Sequence, residues 1–455
     1  MHFNIPHGGG KTVKIDPKIQ KYGTFVGSRG IRITSNNDIS VIFTNTYDTD
    51  NTIDSCNIIL VANIARNYTI SSYSSIYGSV LLVAGVTNDT NVTIFNGTDV
   101  LYSAIINLFD VLQYRSCVTS CDVTGIRVIA DKPVSVSSGS TYAALLTNSG
   151  ARGDYIVSEM HPLKTWSRTY IVSPVLPKTA FVSRILVENS FSSVTVSNIS
   201  ESYRLTPSSS SQYFETEALV LTSDHPFSLT QYGVSYDSDD NSGNPFMTVV
   251  PGVDQYINNY IFTVPHGYYG NLKQYVSLIV PKMYKDSLVL DGMSLHVYNQ
   301  TNRAKILDDP APFDTYTILT FRVNEGYHHF YHSSEKVTFG VFVYGHGYFL
   351  SYGFFAGYDL NGDCRIQTST STTTSISTST MTSSTTSSTS LLQPRGQMCY
   401  NCEEFSHVDL CDTVKQCSKQ EVCFTERYED SGQTKFKTGC PLQNVRISLL
   451  HRVKL

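Results

Sequence analysis

Three closely spaced histidines, His328, His329 and His332, are the residues whose type best fits a transition-metal site. They lie in a run that reads as a β-strand or turn, and adjacent strand residues point to opposite faces of a sheet. The three imidazoles therefore cannot easily reach one ion. We interpret the run as structural, and we predict no bound metal and no cofactor.

Oxygen-bearing side chains of the kind that bind calcium are clustered at two places. One cluster alternates like half of a calcium loop, but the glutamate and the length of an EF-hand are absent. We interpret it as a turn at the end of a domain, and the other cluster as a solvated loop tip. The clusters are Asp359, Asn361 and Asp363, and Asp237, Asp239 and Asp240.

Arg152, Gly153 and Asp154 form an integrin-type tripeptide within the polar segment NSGARGDY. Recognition by an integrin requires an exposed turn that presents Arg152 and Asp154 on opposite sides. Because such tripeptides often arise by chance, we favour an ordinary loop and keep cell adhesion as the minor alternative.

Catalytic templates are missing from the sequence. It lacks the elbow G-x-S-x-G, the zinc motif H-E-x-x-H, the phosphate loop G-x-x-x-x-G-K and a dinucleotide fingerprint. We predict that the protein is not an enzyme. A carbohydrate-active enzyme is the least favoured alternative, since paired carboxylates can meet in space without a motif. A net charge of −5 over 455 residues, without a basic run, argues against nucleic acid as a partner.

The elements that must position any site are β-strands. Only 16% of the residues are charged, whereas Tyr (30) and Phe (22) are frequent. This balance favours pleated, half-buried surfaces over long helices. Short apolar runs such as GIRVIA and RILVEN, separated by Gly, Asn, Asp, Ser and Pro, continue to about residue 365. They predict an all-β fold.

One β unit recurs along this region. The segments GIRITSNNDISVIFTN from Gly30, GIRVIADKPVSVSSGS from Gly125 and ALVLTSDHPFSLTQYG from Ala218 each read as strand, polar turn, strand. Pro133 and Pro226 fix φ in the turn and so predict a hairpin. The spacing is roughly 95 residues, which gives about three and a half copies.

A second signal repeats in phase with this unit. Trp166 precedes Tyr170, and Tyr256 precedes Tyr260, each by four residues. We expect these aromatic residues in the core. A unit of this size suits tandem antiparallel β-sandwich-like repeats, which we favour, or blade pairs in a closed β-propeller-like ring.

The sequence carries marks of the secretory route. Residues 366–397 are rich in Ser and Thr, as in a mucin-like linker, and the ten cysteines are an even number. Four of six Asn-x-Ser/Thr sequons fall within thirty residues. The predicted glycosylation sites are Asn67, Asn88, Asn91, Asn96, Asn198 and Asn299. No apolar window is long enough to span a membrane. The N-terminus has no apolar signal region, so we expect the chain to begin inside a longer protein.

The two complete repeat segments resemble the G-I-x-V-x-S-D-K-P-V-x-V signature of the IgG Fc-binding protein N-terminal domain family. EMHPLKTWSRTYIV and TVVPGVDQYINNYIF resemble its L-P-P-V-x-x-W-G-x-x-Y-x-V element. The resemblance covers about residues 20–365, although Ser167 and Ile257 stand where the family favours Gly, and His225 where it favours Lys. It implies a secreted, often mucus-associated or adhesive protein without catalytic residues, and does not by itself imply IgG binding.

Residues 398–442 resemble a three-finger domain of the urokinase-receptor and lymphocyte-antigen type, although the third finger is missing. The disulfides that this resemblance implies are Cys399–Cys423, Cys402–Cys411 and Cys417–Cys440. A zinc site at Cys399 and Cys402 is the alternative, but no second ligand pair follows. In the main domain Cys117 and Cys121 could close a local loop and Cys56 could then pair with Cys364, although the sequence leaves this connectivity open.

The chain therefore divides into a β-repeat domain (1–365), a linker (366–397), a partial three-finger module (398–442) and an unstructured tail (443–455). We predict a secreted or surface-exposed protein that binds an extracellular protein or glycan through its loops. A structural mucus or matrix component crosslinked by disulfides is the alternative. The oligomeric state stays open.

Overall fold

The computed structural model is an all-β protein that divides into two compact units. One unit comprises Ile5–Ile31 and Ile39–Cys364, and the other comprises Met1–Asn4, Arg32–Asp38 and Arg365–Leu455. The structure describes residues 2–6, 8–47, 52–73, 77–116, 122–145, 153–178, 180–188, 193–196, 201–204, 212–215, 218–235, 243–265, 272–295, 297–298, 305–307, 315–347, 350–360, 398–400, 414–416, 424–430, 433–439 and 447–448.

The smaller unit contributes strand pairs. They are β1 (His2–Phe3) with β32 (Ile447–Ser448), β28 (Met398–Tyr400) with β29 (Val414–Gln416), and β30 (Phe424–Asp430) with β31 (Gln433–Gly439). The predicted linker lies outside the described residues, and the predicted three-finger module lies largely outside them. Both remain predictions.

The larger unit contains three β repeats after a short leading part. The leading strands are β2 (Phe25–Ser28), β3 (Ile42–Tyr47) and β4 (Thr52–Asn57). The first repeat comprises β5 (Ala65–Thr69), β6 (Ser79–Gly85), β7 (Thr90–Asn96), β8 (Asp99–Ile106), β9 (Asp110–Arg115), β10 (Arg127–Ala143) and β11 (Asp154–Glu159). The second comprises β12 (Ser167–Val172), β13 (Ala180–Val187), β14 (Ser193–Val196), β15 (Glu201–Arg204), β16 (Gln212–Glu215), β17 (Leu219–Gly233) and β18 (Met247–Val250).

The third repeat follows the same plan with two differences. Its strands are β19 (Asn259–Val264), β20 (Lys273–Pro281), β21 (Leu288–Leu290), β22 (Met293–Ser294), β23 (Lys305–Leu307), β24 (Tyr316–Arg322), β25 (Gly326–His332), β26 (Gly340–Gly347) and β27 (Leu350–Phe355). Its long strand is divided into β25 and β26, and it has one additional strand, β23. Short 3₁₀ helices lie at Pro17–Ile19, Val61–Asn63, Leu163–Thr165, Val253–Gln255 and Lys282–Ser287.

Each repeat folds into an outer antiparallel sheet of four strands and an inner one of four or five strands. The outer sheets are β5–β10–β7–β8, β12–β17–β14–β15 and β19–β25–β21–β22. The inner sheets are β11–β10–β6–β9–β2, β18–β17–β13–β16 and β27–β26–β20–β24–β23. The expectation of tandem sandwich-like repeats is therefore confirmed.

The predicted strand–turn–strand hairpin is wrong, because β10 and β17 run straight through the Asp-x-Pro sequence. Before Pro133, β10 pairs in the outer sheet with β7, and after it β10 pairs in the inner sheet with β6. Pro226 has the same place in β17. Proline has no N–H to donate to a ladder, so it stands where the strand changes partners. In the leading copy from Gly30, only β3 forms.

The last strands of the repeats contact one another in a closed cycle. β4 packs against β11 and β27, and β18 packs against the same two strands. The hairpin of β3 and β4 thus supplies the fourth position in a ring of inner strands. The half-copy that the sequence indicates at the N-terminus completes this ring.

A tyrosine in each repeat links its outer sheet to the backbone where the pairing of the inner sheet begins. The hydroxyl of Tyr68 accepts the N–H of Ala65 at 2.9 Å and donates to the carbonyl of Val134 at 2.7 Å. Tyr170 and Tyr260 make the corresponding pairs of hydrogen bonds. The expected burial of these aromatic residues is confirmed, and each tyrosine hydroxyl also bonds two backbone groups.

Candidate ligand-binding surface

The outer face of the third repeat carries an unusual row of half-buried aromatic rings. Tyr327, His329 and Tyr331 occupy alternate positions of β25 and therefore share one face of the sheet. His328, Phe330 and His332 point to the other face and are buried. The central strand of this sheet thus presents two phenols and an imidazole outward.

Neighbouring strands frame this row. On β19, Thr263 pairs with Tyr327, Ile261 with His329, and Asn259 with Tyr331. The side chain of Ile261 is 42% exposed. Val289 on β21 pairs with Tyr331 from the other side. The row is therefore continuous with an exposed aliphatic side chain and a polar amide.

Polar contacts hold the rings in place. The Nε2 of His329 lies 2.8 Å from the Oδ1 of Asn259, and its ring stacks on Tyr331 with centroids 4.8 Å apart. Asp291 accepts the backbone N–H of His329 at 2.8 Å and contacts the Nδ1 of buried His328 at the same distance. Burial and the negative charge of Asp291 raise the pKa of the Tyr327 hydroxyl. An ordered row of this kind suits a contact surface, because amphipathic rings bury area at a small entropic cost.

The N-terminal segment borders one end of the row. A Cβ built on Gly10 would lie 3.3 Å from the Oγ1 of Thr263, and one built on Gly8 would lie 3.9 Å from the ring of Tyr327. Gly8 has a φ of +71°, a conformation that favours glycine. A side chain at Gly10 would crowd Thr263 at this end of the surface, whereas one at Gly8 would strain the backbone.

The three histidines of the sequence motif do not converge. His329 points outward to Asn259, whereas the Nε2 of His332 lies 2.8 Å from the Oγ of Ser287 and His328 contacts Asp291. In the part of the chain that the structure describes, no three His, Cys, Asp or Glu side chains form a group that could hold a metal. Asp359 is described, but its partners in the motif and the acidic loop 237–240 lie outside.

The adhesion hypothesis for the Arg-Gly-Asp tripeptide is wrong for Asp154. This residue is fully buried, and its carboxylate accepts the N–H of Tyr155 at 2.7 Å and lies 3.4 Å from the Nδ2 of Asn244. Burial raises the pKa of the Asp154 carboxyl well above its usual value. A side chain enclosed in this way cannot be presented to an integrin. Arg152 lies outside the described residues.

The sequons divide between described and undescribed parts of the chain. Asn67, Asn88, Asn91 and Asn96 are all exposed on the first repeat. Asn198 and Asn299 lie outside the described residues. Exposure is what a glycan site requires, and occupancy stays a prediction.

Cys56 is the cysteine that the structure describes in the larger unit, and its thiol is free and buried. The disulfide with Cys364 that the sequence allows is therefore not formed in this structure. Burial and nearby Glu159 and Asp54 raise the pKa of the Cys56 thiol well above its usual value. A buried, protonated thiol is unreactive. The remaining disulfide predictions concern Cys117, Cys121, Cys364, Cys402, Cys411, Cys417, Cys423 and Cys440, which lie outside the described residues, and Cys399, of which only the backbone is described.

A buried carboxylate joins the ring of inner strands. Asp54 on β4 accepts the N–H groups of Ser55 at 2.8 Å, Val157 at 2.9 Å and Met247 at 3.2 Å, and that of Gly353 as well. The last three belong to β11, β18 and β27. Burial raises the pKa of Asp54 well above its usual value, against the opposing effect of these hydrogen bonds. Because Asp54 is fully buried and bonds backbone amides of four strands, we assign it a structural role.

A second buried acid belongs to the first repeat alone. Glu159 accepts hydrogen bonds from the hydroxyl of Ser135 and the backbone N–H of Ile59. Burial raises its pKa to about 7. Val249 holds the corresponding position in the second repeat, as the registers of β11 and β18 show. Sequence reasoning missed Asp54 and Glu159, because their partners lie far away along the chain.

The comparison with protein families agrees with this architecture. A family model described as IgGFc binding protein matches residues 54–345. The chain belongs to this family. The match begins at Asp54, in the strand that closes the ring, and ends within β26. No curated protein and no solved structure matches the chain.

Within the described residues, no helix is long and apolar enough to cross a membrane.

Proposed function

We propose that this member of the IgGFc-binding family is an extracellular, non-catalytic binding protein that recognises a protein ligand through the outer face of its third repeat. The observation that carries the proposal is the ordered row of Tyr327, His329 and Tyr331 beside exposed Ile261. Aromatic residues are enriched in protein interfaces, and tyrosine in particular provides much contact area with few rotatable bonds.

The chemistry of the surface points to a partner with mixed polarity. Asn259 offers an amide and the two tyrosines offer hydroxyl groups, which orient a partner by hydrogen bonds. Ile261 and the ring faces supply the apolar contact. The family description names IgG Fc, so an antibody Fc fragment is the first protein ligand to test. A glycan that stacks on the tyrosine rings is a separate outcome of the same test.

An extracellular location is supported by the four exposed sequons of the first repeat. The six cysteines between Cys399 and Cys440 and the Ser/Thr-rich segment add to this support from the sequence. We propose a secreted or surface-attached protein of mucus or matrix.

The absence of catalysis is supported by where the perturbed acids lie. Asp54, Asp154 and Glu159 are all buried, and each is engaged by internal hydrogen-bond donors. A general acid must reach the proton it transfers, which these groups cannot do from the interior. We propose that their role is to hold the inner strands.

The decisive experiment measures binding of the full-length secreted protein to immobilised Fc fragment, and to protein and glycan fractions of mucus. The triple variant Tyr327→Ser/His329→Ala/Tyr331→Ser removes the row. Arg168→Ala, which changes an exposed residue on the outer sheet of the second repeat, is the control. We expect selective binding by the wild type and the control, and at least a tenfold loss in the triple variant. A partner that binds all three equally would contradict the proposed site.

The alternative of a crosslinked structural component gives a different result. Non-reducing electrophoresis of native material would then show disulfide-linked multimers and no selective partner. A monomer with one selective partner supports the binding function.

A further inference from the structure

The outer sheet of the first repeat exposes apolar side chains, several of them on its terminal strand. Ile105 is 65% exposed and Val100 is 58% exposed, both on β8, and Ile129 on β10 is 38% exposed. Among the described strands, β8 is the last of its sheet, and no other described strand pairs with its second edge. Exposed apolar edge strands promote association between chains.

Two sequon asparagines stand directly beside the two exposed isoleucines. Asn67 on β5 is the cross-strand partner of Ile129, and Asn91 on β7 is the cross-strand partner of Ile105. Directly opposed residues have Cβ atoms about 5 Å apart on one face. Asn67 and Asn91 are exposed and occupy outward positions of their strands, so their amides point to the same side as the isoleucines.

The remaining two sequons flank the same sheet. Asn96 ends β7 and pairs with Asp99 at the start of β8, beside Val100. Asn88 lies in the turn before β7, where its Oδ1 accepts the N–H of Leu108. Four sequons therefore surround one apolar face, whereas the tyrosine-bearing face of the third repeat has none on its described strands.

We propose that N-linked glycans at Asn67 and Asn91 cover Ile129 and Ile105, and so shield the outer face and terminal strand of the first repeat from self-association. The inference rests on the proposed extracellular location. In this proposal the face is covered by glycans attached to the chain itself and not by a partner molecule. A hydrophilic sugar attached beside each isoleucine replaces apolar surface by a hydrated one. The bulk of the two glycans also blocks the approach of another strand to β8.

The test uses full-length protein from a glycosylating host, with glycan occupancy measured by mass spectrometry. Thr93→Ala removes the Asn91 sequon, whereas Thr93→Ser keeps it and retains the hydroxyl that contacts Ser103. Each is combined with Asn67→Gln to give a matched pair. Both double variants lack the Asn67 sequon, and they differ only in whether residue 93 is Ala or Ser. Sedimentation then reports the mass of each variant at equal concentration.

We expect both asparagines to be occupied, and we expect the wild type and Thr93→Ser to sediment as the same species. Asn67→Gln/Thr93→Ala should shift to at least twice that mass. Adding Ile105→Thr and Ile129→Thr to it should restore the original mass, because threonine keeps the β-branched shape without the apolar surface. Cooperative thermal unfolding of every variant shows that it is folded.

The outcomes separate this inference from the proposed function. Bare Asn67 and Asn91 in a protein glycosylated at Asn198 or Asn299 overturn the shield and leave the extracellular location intact. An unshifted mass in Asn67→Gln/Thr93→Ala also overturns it. If no ligand binds but the glycans still prevent self-association, the result contradicts the proposed binding face of the third repeat and leaves the glycan shield intact.

Discussion

The outer sheets of the first and third repeats have the same strand arrangement but expose different kinds of side chain. Tyr68 and Tyr260 hold the same position, since each pairs with the central strand of its sheet and donates its hydroxyl to a backbone carbonyl, that of Val134 or Phe339. Asn67 and Asn259 each stand one residue before that tyrosine. The first faces Ile129, and the second faces an aromatic ring.

One residue separates a glycan site from a bare contact surface at this position. Asn67-Tyr68-Thr69 is a sequon, whereas Asn259-Tyr260-Ile261 is not. The hydroxyl of Thr69 bonds Glu188, whereas Ile261 is exposed beside His329. This difference indicates that inward-facing groups maintain the common fold of the repeats, whereas residues at outward positions can serve a different function in each repeat.

Removing the carboxylate of Asp54, which bonds strands of all three repeats, should have the largest effect on stability. Asp54→Ala leaves N–H groups of Ser55, Val157, Met247 and Gly353 without their acceptor. Because each unsatisfied buried donor costs about 1–3 kcal/mol, we expect a loss of about 4 kcal/mol or more in the free energy of unfolding. Chemical denaturation measures it, with the exposed residue Asp99 changed to Ala as control. A loss below about 1 kcal/mol would contradict the shared role of Asp54.

Glu159 distinguishes the first repeat from the second, where Val249 stands. Its pKa of about 7 in the folded protein lies above the value of the unfolded chain. The resulting stability is present below about pH 4.5 and is lost as pH rises past 7. Relative to Glu159→Gln, the wild type should therefore lose up to about 3 kcal/mol between pH 5 and pH 8. The free energy of unfolding is measured by urea denaturation at each pH. If it depended on pH equally in the two proteins, Glu159 would ionise without loss of stability, which would contradict this prediction.

The tyrosine hydroxyls should contribute equally in all repeats. Tyr170→Phe and Tyr260→Phe each remove a hydroxyl that bonds one buried N–H and one carbonyl. We expect each to lower the free energy of unfolding by about 1–2 kcal/mol. Thermal or chemical denaturation of the two variants side by side measures this. A large effect in one repeat and none in the other would break the equivalence.

Much of the repeat was predictable from the sequence, because strand periodicity and the tyrosine spacing are local signals. The continuous course of β10 and β17 was not, since a proline in a turn and a proline at a change of strand partners look alike. Asp54 was hidden because its partners Val157, Met247 and Gly353 come from three later strands. The row of Tyr327, His329 and Tyr331 was obscured by the histidine motif that overlaps it, although the alternation of a strand contains it.

The central claim, that the outer face of the third repeat binds the ligand, is tested most directly by Ile261→Thr. This change creates a sequon at Asn259 and places a glycan on the binding face, while altering stability by less than about 0.5 kcal/mol as an exposed substitution. Asn259→Gln/Ile261→Thr carries the same threonine without the glycan. We expect the glycosylated variant to lose the partner that the wild type binds, and the double variant to retain most of the binding. Unchanged binding with Asn259 fully occupied would contradict the claim.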